Sequence, residues 1–134
     1  MGIKLSTDSL MVMAAFERVT KVHAKDCLVT DTCVYFLVES GKIGLAIGKS
    51  GSVVKDVSRV LGRPVRVYGY SKDITEMVRG MIPQAKSVEV NGDTVTVAVQ
   101  PSEKTAIIGK AGGNIKAMRD LMERHFNTKH LRLK

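Results

Sequence analysis

Apolar residues recur along this chain with two different periods. Ile74, Met77, Val78 and Met81 follow the i, i+3, i+4, i+7 spacing of one helix face, which predicts a helix over 71–81. Ser71 or Asp73 is placed to cap it, and Pro83 to end it. Residues 86–90 and 94–99 are β-rich and flank Asn91-Gly92, a tight-hairpin signal. Pro101-Ser102 opens a short helix to about Ile108, which residues 109–112 interrupt. A second helix starts near Gly113 with Ile115, Met118 and Met122 on one face, and residues 129–134 alternate as a closing strand. The first half repeats this order. It predicts a helix over 7–20, strands near 27–30 and 33–39, a short helix over 42–47, a helix over 52–61 stopped by Gly62, and a strand over 63–70.

The agreement extends to single residues. At an offset of 61, Gly48-Lys49-Ser50-Gly51 falls on Gly109-Lys110-Ala111-Gly112. Val34 then meets Val95, Ile47 meets Ile108, Val54 meets Ile115, Lys55 meets Lys116 and Val57 meets Met118. The last strands, Val65-Arg66-Val67 and Leu131-Arg132-Leu133, match at an offset of 66, so the second copy holds five extra residues before its final strand. Two copies are too few for a solenoid. The expectation is two tandem α+β domains, 1–70 and 71–134, each helix-strand-strand-helix-loop-helix-strand. No Pro- or Ser-rich linker separates them, and Gly69 is the sole punctuation. A rigidly packed pair is therefore expected.

Composition narrows the function. The chain has 134 residues, 44% apolar and 25% charged, which suits a globular fold. Its longest apolar run, residues 10–16, is too short for a membrane span. With no signal-peptide core, a cytoplasmic protein without membrane contact is expected. Gly2 and Ser6 fit the short myristoylation pattern, which chance alone often produces. Cys27 and Cys33 make no zinc spacing or disulfide framework, and His23, His125 and His130 make no metal site. No metal, cofactor or catalytic group is expected. The net charge of +8 is unevenly spread: residues 42–72 carry seven basic groups against one acidic, and 104–134 carry eight against two. The intervening block 73–103 is acidic, two against five. Each basic block contains one Gly-Lys-x-Gly loop, and such a charge suits a polyanionic partner.

Each loop sits between two helices. Its glycines permit positive φ and close backbone approach. Free N–H groups at the following helix start favour an anion, and Lys49 or Lys110 adds a mobile positive charge. Ser50 adds a hydroxyl donor that Ala111 cannot. A small nucleotide-binding enzyme is the competing reading, because Gly44 to Ser50 nearly spells a phosphate-binding P-loop. The segment is one residue short of that motif and follows a helix instead of a strand. Aromatics make up 4% of the chain, which disfavours a base-stacking sheet. Tyr68 and Tyr70 could stack bases, but packing is the more ordinary role.

Ile47-Gly-Lys-Ser-Gly and Ile108-Gly-Lys-Ala-Gly, each between two helices, resemble the KH motif with its GXXG loop. The order of elements resembles the type II KH fold, and the linkerless pair resembles the tandem KH domains of the NusA family. Bacterial members also carry an N-terminal polymerase-binding domain and an S1 domain, for which this length leaves no room. The resemblance is therefore to the short, KH-only proteins of archaea. It implies a single-stranded RNA-binding protein of transcription elongation, termination or antitermination, whose contact with RNA polymerase or the elongation complex is indirect. The oligomeric state is left open by the residues; no clear coiled-coil or apolar seam is visible in the sequence, and a monomer is the expectation. A tandem KH protein of ribosome assembly or ribosomal RNA processing shares the same loop chemistry. By the same resemblance, RNA is held at Ile47, Gly48, Lys49, Ser50 and Gly51 and at Ile108, Gly109, Lys110, Ala111 and Gly112. Lys55, Arg59, Lys116 and Arg119 draw the strand along the helices. Ile47, Val54, Ile108 and Ile115 line a groove or belong to the core. Asn114 supplies a polar contact that Val53, its counterpart, lacks.

Overall fold

A computed structural model describes residues 7–134. Gly2 and Ser6 lie outside them. The chain divides into two compact units, Met1–Tyr70 and Ser71–Lys134. The first contains α1 (Thr7–Thr20), β1 (Asp26–Val29), β2 (Val34–Glu39), α2 (Ile43–Ile47), α3 (Ser52–Leu61) and β3 (Val65–Tyr70). The second contains α4 (Ile74–Met81), β4 (Ser87–Asn91), β5 (Thr94–Ala98), α5 (Lys104–Ile108), α6 (Gly113–Phe126) and β6 (His130–Leu133). Single 3-10 turns precede α2, α3, α5 and α6.

Both sheets have three strands in sequence order, with the first pair antiparallel and the second parallel. The parallel pair demands a crossover, which the helix-loop-helix segment supplies. In the first unit alternate strand residues Cys27, Val34, Phe36 and Val38 join Phe16, Ala46 and Val57 in one buried core. Phe16 stacks on Phe36 with ring centroids 4.1 Å apart. In the second unit Val95, Val97, Ile107, Ile115, Met118, Leu121, Met122 and Leu131 are buried.

The five extra residues of the second unit do not disturb its register. Val34 pairs with Val65, and its counterpart Val95 pairs with Leu131. The longer α6, 14 residues against 10 in α3, absorbs four of the five before the chain turns. Each of these helices ends on a left-handed residue, Gly62 (φ 70°) or Asn127 (φ 55°).

Three local expectations need correction. The hairpin loop is Gly92-Asp93, not Asn91-Gly92, because Asn91 pairs with Thr94 in the ladder. Gly92, at φ 59°, takes the first central place of a two-residue turn. Asp73 is the N-cap of α4 but makes no side-chain cap bond; Ser71 Oγ accepts the Asp73 N–H at 3.3 Å and donates to Glu76 at 3.0 Å. Gly69 is not punctuation either. It lies inside β3 opposite Val38, and a Cβ there would stand 3.2 Å from Ser40 Cα. The strand needs glycine because the turn before α2 crosses closely over it.

Candidate nucleic-acid interface

The two Gly-Lys-x-Gly loops have the same backbone. Gly48 has φ 77°, ψ 172° and Gly109 has φ 81°, ψ 174°. Ser50 (φ 54°, ψ 29°) and Ala111 (φ 55°, ψ 26°) are both left-handed, as are Gly51 (φ 75°) and Gly112 (φ 75°). The conformation of the first glycine is one that only glycine readily adopts. Space imposes the same choice. A Cβ on Gly48 would lie 2.5 Å from Val53 Cγ2, and one on Gly109 would lie 2.7 Å from Asn114 Cγ. Val53 and Asn114 thus hold the same place over the loop with different chemistry.

The hydrogen bonds also repeat. Gly48 N–H donates to Gly44 O at 2.9 Å and Gly51 N–H to Gly48 O at 3.1 Å; Gly109 and Gly112 donate to Thr105 O at 3.0 Å and Gly109 O at 3.1 Å. The Ser52 and Gly113 amides close on Lys49 O and Lys110 O. The amides of Lys49 and Ser50, and of Lys110 and Ala111, stand outside this ladder. Gly51 and Gly112 cap α3 and α6 without a side-chain acceptor. Each loop therefore leaves amide donors and a positive helix end beside an exposed lysine, Lys49 or Lys110.

The neighbouring residues separate into groups. Lys55 and Lys116 are on the helices that follow the loops, Lys116 exposed on α6 and Lys55 exposed on α3. Arg59 is exposed and pairs with Asp56 at 3.0 Å. Arg119 is tied down, its Nε donating to the Leu131 carbonyl at 3.1 Å. Ile47 and Val54 are half-buried and Ile108 is 37% exposed, whereas Ile115 is 6% exposed and belongs to the core. Tyr68 is buried against Tyr35, with ring centroids 6.0 Å apart, and Tyr70 lies under the Lys25 ammonium at 4.3 Å. Both tyrosines therefore have packing partners. Nothing along the chain signals the Arg119 tether, which joins residues 12 apart through the return of β6.

Among the described residues no cluster of His, Cys, Asp and Glu could hold a metal ion, and no helix is long and apolar enough to cross a membrane. Cys27 and Cys33 are buried free thiols, and burial pushes Cys33 up from the ordinary thiol range.

No family model matches the chain. Curated relatives do. A protein of Halobacterium salinarum named probable transcription termination protein NusA is 33% identical, over 99% of this chain and 99% of its own length. The chain belongs to the archaeal NusA family. A NusA relative from Methanococcus vannielii, bearing the same name, is 31% identical over 99% of this chain and 80% of its own length. The crystal structure of APE1850 superposes with a TM-score of 0.77 at 28% identity, covering 97% of this chain and all of that one. The fold is thus the tandem KH arrangement of the NusA family, and these relatives are named for transcription termination, not for a catalysed reaction.

Proposed function

We propose that this chain is a single-stranded RNA-binding factor of transcription termination and elongation, with RNA phosphates held at both Gly-Lys-x-Gly loops. The observation that carries the reading is the duplicated loop. Two segments of different sequence adopt one backbone within a few degrees, although it forces Ser50 and Ala111 into the left-handed region. A plain helix-to-helix turn has no need of this conformation twice, with a lysine at the same place each time. The amides and the positive end of α3 or α6 attract a phosphate, and Lys49 or Lys110 neutralises it. Lys55 and Lys116 extend the positive surface along the strand's path. The relatives' names favour transcription over ribosome assembly as the setting.

Fluorescence anisotropy with a labelled single-stranded RNA, titrated against salt, tests this. The comparison is with the variant Lys49→Asp, Ser50→Asp, Lys110→Asp, Ala111→Asp, whose folding is checked by circular dichroism; aspartate tolerates the left-handed conformation that Ser50 and Ala111 adopt. The variant is expected to bind more weakly, its salt slope flattened by about 0.7 for each phosphate it no longer holds. Equal binding by a folded variant refutes the proposal. If one strand spans both loops, a flexible insert between Tyr70 and Ser71 lowers the affinity by diluting one loop from the other.

A further inference from the structure

We infer that Arg119 is a base-reading residue that selects guanine in the second unit, and not a further phosphate contact. The inference rests on the RNA-binding reading above and assigns one side chain a specific chemistry within it.

The geometry begins with the parallel ladder. Lys134 N–H donates to Val97 O at 2.8 Å, and Val99 N–H donates to Lys134 O at 3.4 Å. In a parallel pair the N–H and C=O of one residue face the same neighbour, and the next residue faces the other way. Residues 130, 132 and 134 therefore face β5, while Leu131 and Leu133 direct their backbone groups to the open edge of the sheet. It is the Leu131 carbonyl, on that open edge, that Arg119 Nε occupies at 3.1 Å. Arg119 reaches it from α6, the helix that begins at the Gly-Lys-Ala-Gly loop.

This bond has two consequences. It orients the exposed guanidinium beside the edge strand, which lowers the freedom lost on binding. It also engages the Nε–H, which leaves the two terminal nitrogens as a parallel donor fork. Such a fork matches two adjacent acceptors, and guanine N7 and O6 are the pair that nucleobases present for it. A phosphate can also take a fork, but a mobile exposed lysine serves there, and Lys110 and Lys116 are already in place.

The first unit lacks the device. Ser58 stands at the position matching Arg119, and its Oγ donates to the Arg63 carbonyl at 2.6 Å within the turn before β3. Among the described residues, no arginine is tied in this way to the carbonyl of Val65, which matches Leu131. Base selection is thus assigned to one unit, while backbone binding is common to both.

The test uses the full-length chain and four labelled RNA dodecamers: U12, (UUG)4, (UUA)4 and (UUG)4 with 7-deazaguanosine, which lacks the N7 acceptor. Wild type is expected to prefer (UUG)4 over its 7-deaza form and over (UUA)4 by about fivefold or more. Arg119→Lys, checked for folding by circular dichroism, keeps the charge and removes the fork. It is expected to bind all four RNAs alike with an unchanged salt slope. A wild type indifferent to N7, or a preference that survives Arg119→Lys, overturns the inference. So does an equal weakening on all four RNAs with a shallower slope, which marks a phosphate contact. The loop variant separates the two readings: if it binds as wild type does, RNA recognition at the loops falls and this inference falls with it. If it fails to bind while wild type ignores N7, only the assignment of Arg119 falls.

Discussion

The sheets of the two units have one topology and one register, yet the faces turned away from their cores are chemical opposites. In the first unit, cross-strand rows on that face are Leu28-Tyr35-Arg66 and Asp26-Leu37-Tyr68. Leu28, Tyr35, Leu37 and Tyr68 are all buried, and the Tyr68 hydroxyl has no hydrogen-bond partner among the described residues. In the second unit Glu89-Thr96-Arg132 matches the first of these rows by the repeat offsets, and Asn91-Thr94-His130 is a further row on the same face. Glu89, Asn91, His130 and Arg132 are exposed, and Thr94 and Thr96 are on the strand between them, neither fully buried. The inner positions, Val34 and Phe36 against Val95 and Val97, are apolar in both. Alternation places successive side chains on opposite faces, so the inner set can hold register while the outer set varies. The loops show the reverse. Their side chains differ at Ser50 and Ala111 and at Val53 and Asn114, while their backbones coincide.

Leu37→Ala against Thr96→Ala tests the contrast most strongly. Leu37 is fully buried, so its truncation should cost about 2–5 kcal/mol. Thr96→Ala should stay within about 0.5 kcal/mol, and urea unfolding of the two variants reads the difference. Comparable destabilisation would mean that the two outer faces are energetically alike.

Gly48→Ala tests the coincidence of the loops. The φ of 77° and the 2.5 Å approach to Val53 Cγ2 predict a destabilisation of about 2–4 kcal/mol. At Gly112 a Cβ meets nothing within 4 Å, so Gly112→Ala bears only the strain of its φ of 75°, about 1–2 kcal/mol. Thermal melts should rank the two in that order.

Tyr68 gives a pH signature to the first unit's apolar face. Burial pushes its phenol up to about 12, more than offsetting the nearby Arg66 guanidinium. The folded state thus holds its proton above pH 10, where the unfolded chain releases it. The contribution is fully present below about pH 10 and is lost as pH rises towards 12, by about 2 kcal/mol in all. Tyr68→Phe should remove this slope and, by deleting a buried hydroxyl without a partner, leave stability at pH 7 unchanged or about 1 kcal/mol higher. Parallel stability curves for wild type and variant between pH 9 and 12 would contradict the burial argument. The smallest effect is expected from Ala111→Gly. It relieves the left-handed alanine and loosens the unfolded chain, for a net gain of about 0.5 kcal/mol in denaturant unfolding.

Much of the fold was legible because its signals are local. Helical spacing located α4, and the matched glycines located both loops between their helices. The repeat offsets of 61 and 66 carry the register of β3 and β6, since Val65 and Leu131 fall opposite Val34 and Val95. The hairpin turn was misplaced by one residue because Asn91-Gly92 and Gly92-Asp93 are both acceptable turn pairs, and the ladder chooses between them. Gly69 was misread because nothing near it in sequence reveals the turn that passes over it at Ser40.

By itself, the sequence determined what depends on neighbours along the chain: periodicity, glycine at strained turns, the duplication, and one lysine-bearing loop in each basic block. The tertiary structure alone decided what depends on residues brought together across the fold. Period two says which strand residues share a face, but not which of two faces is buried, and so Tyr35 and Thr96 could not be told apart in role. A basic residue on an exposed helix reads as solvated charge until the returning strand is in place. Only then does the Leu131 carbonyl claim one nitrogen of Arg119 and turn a flexible cation into an oriented donor.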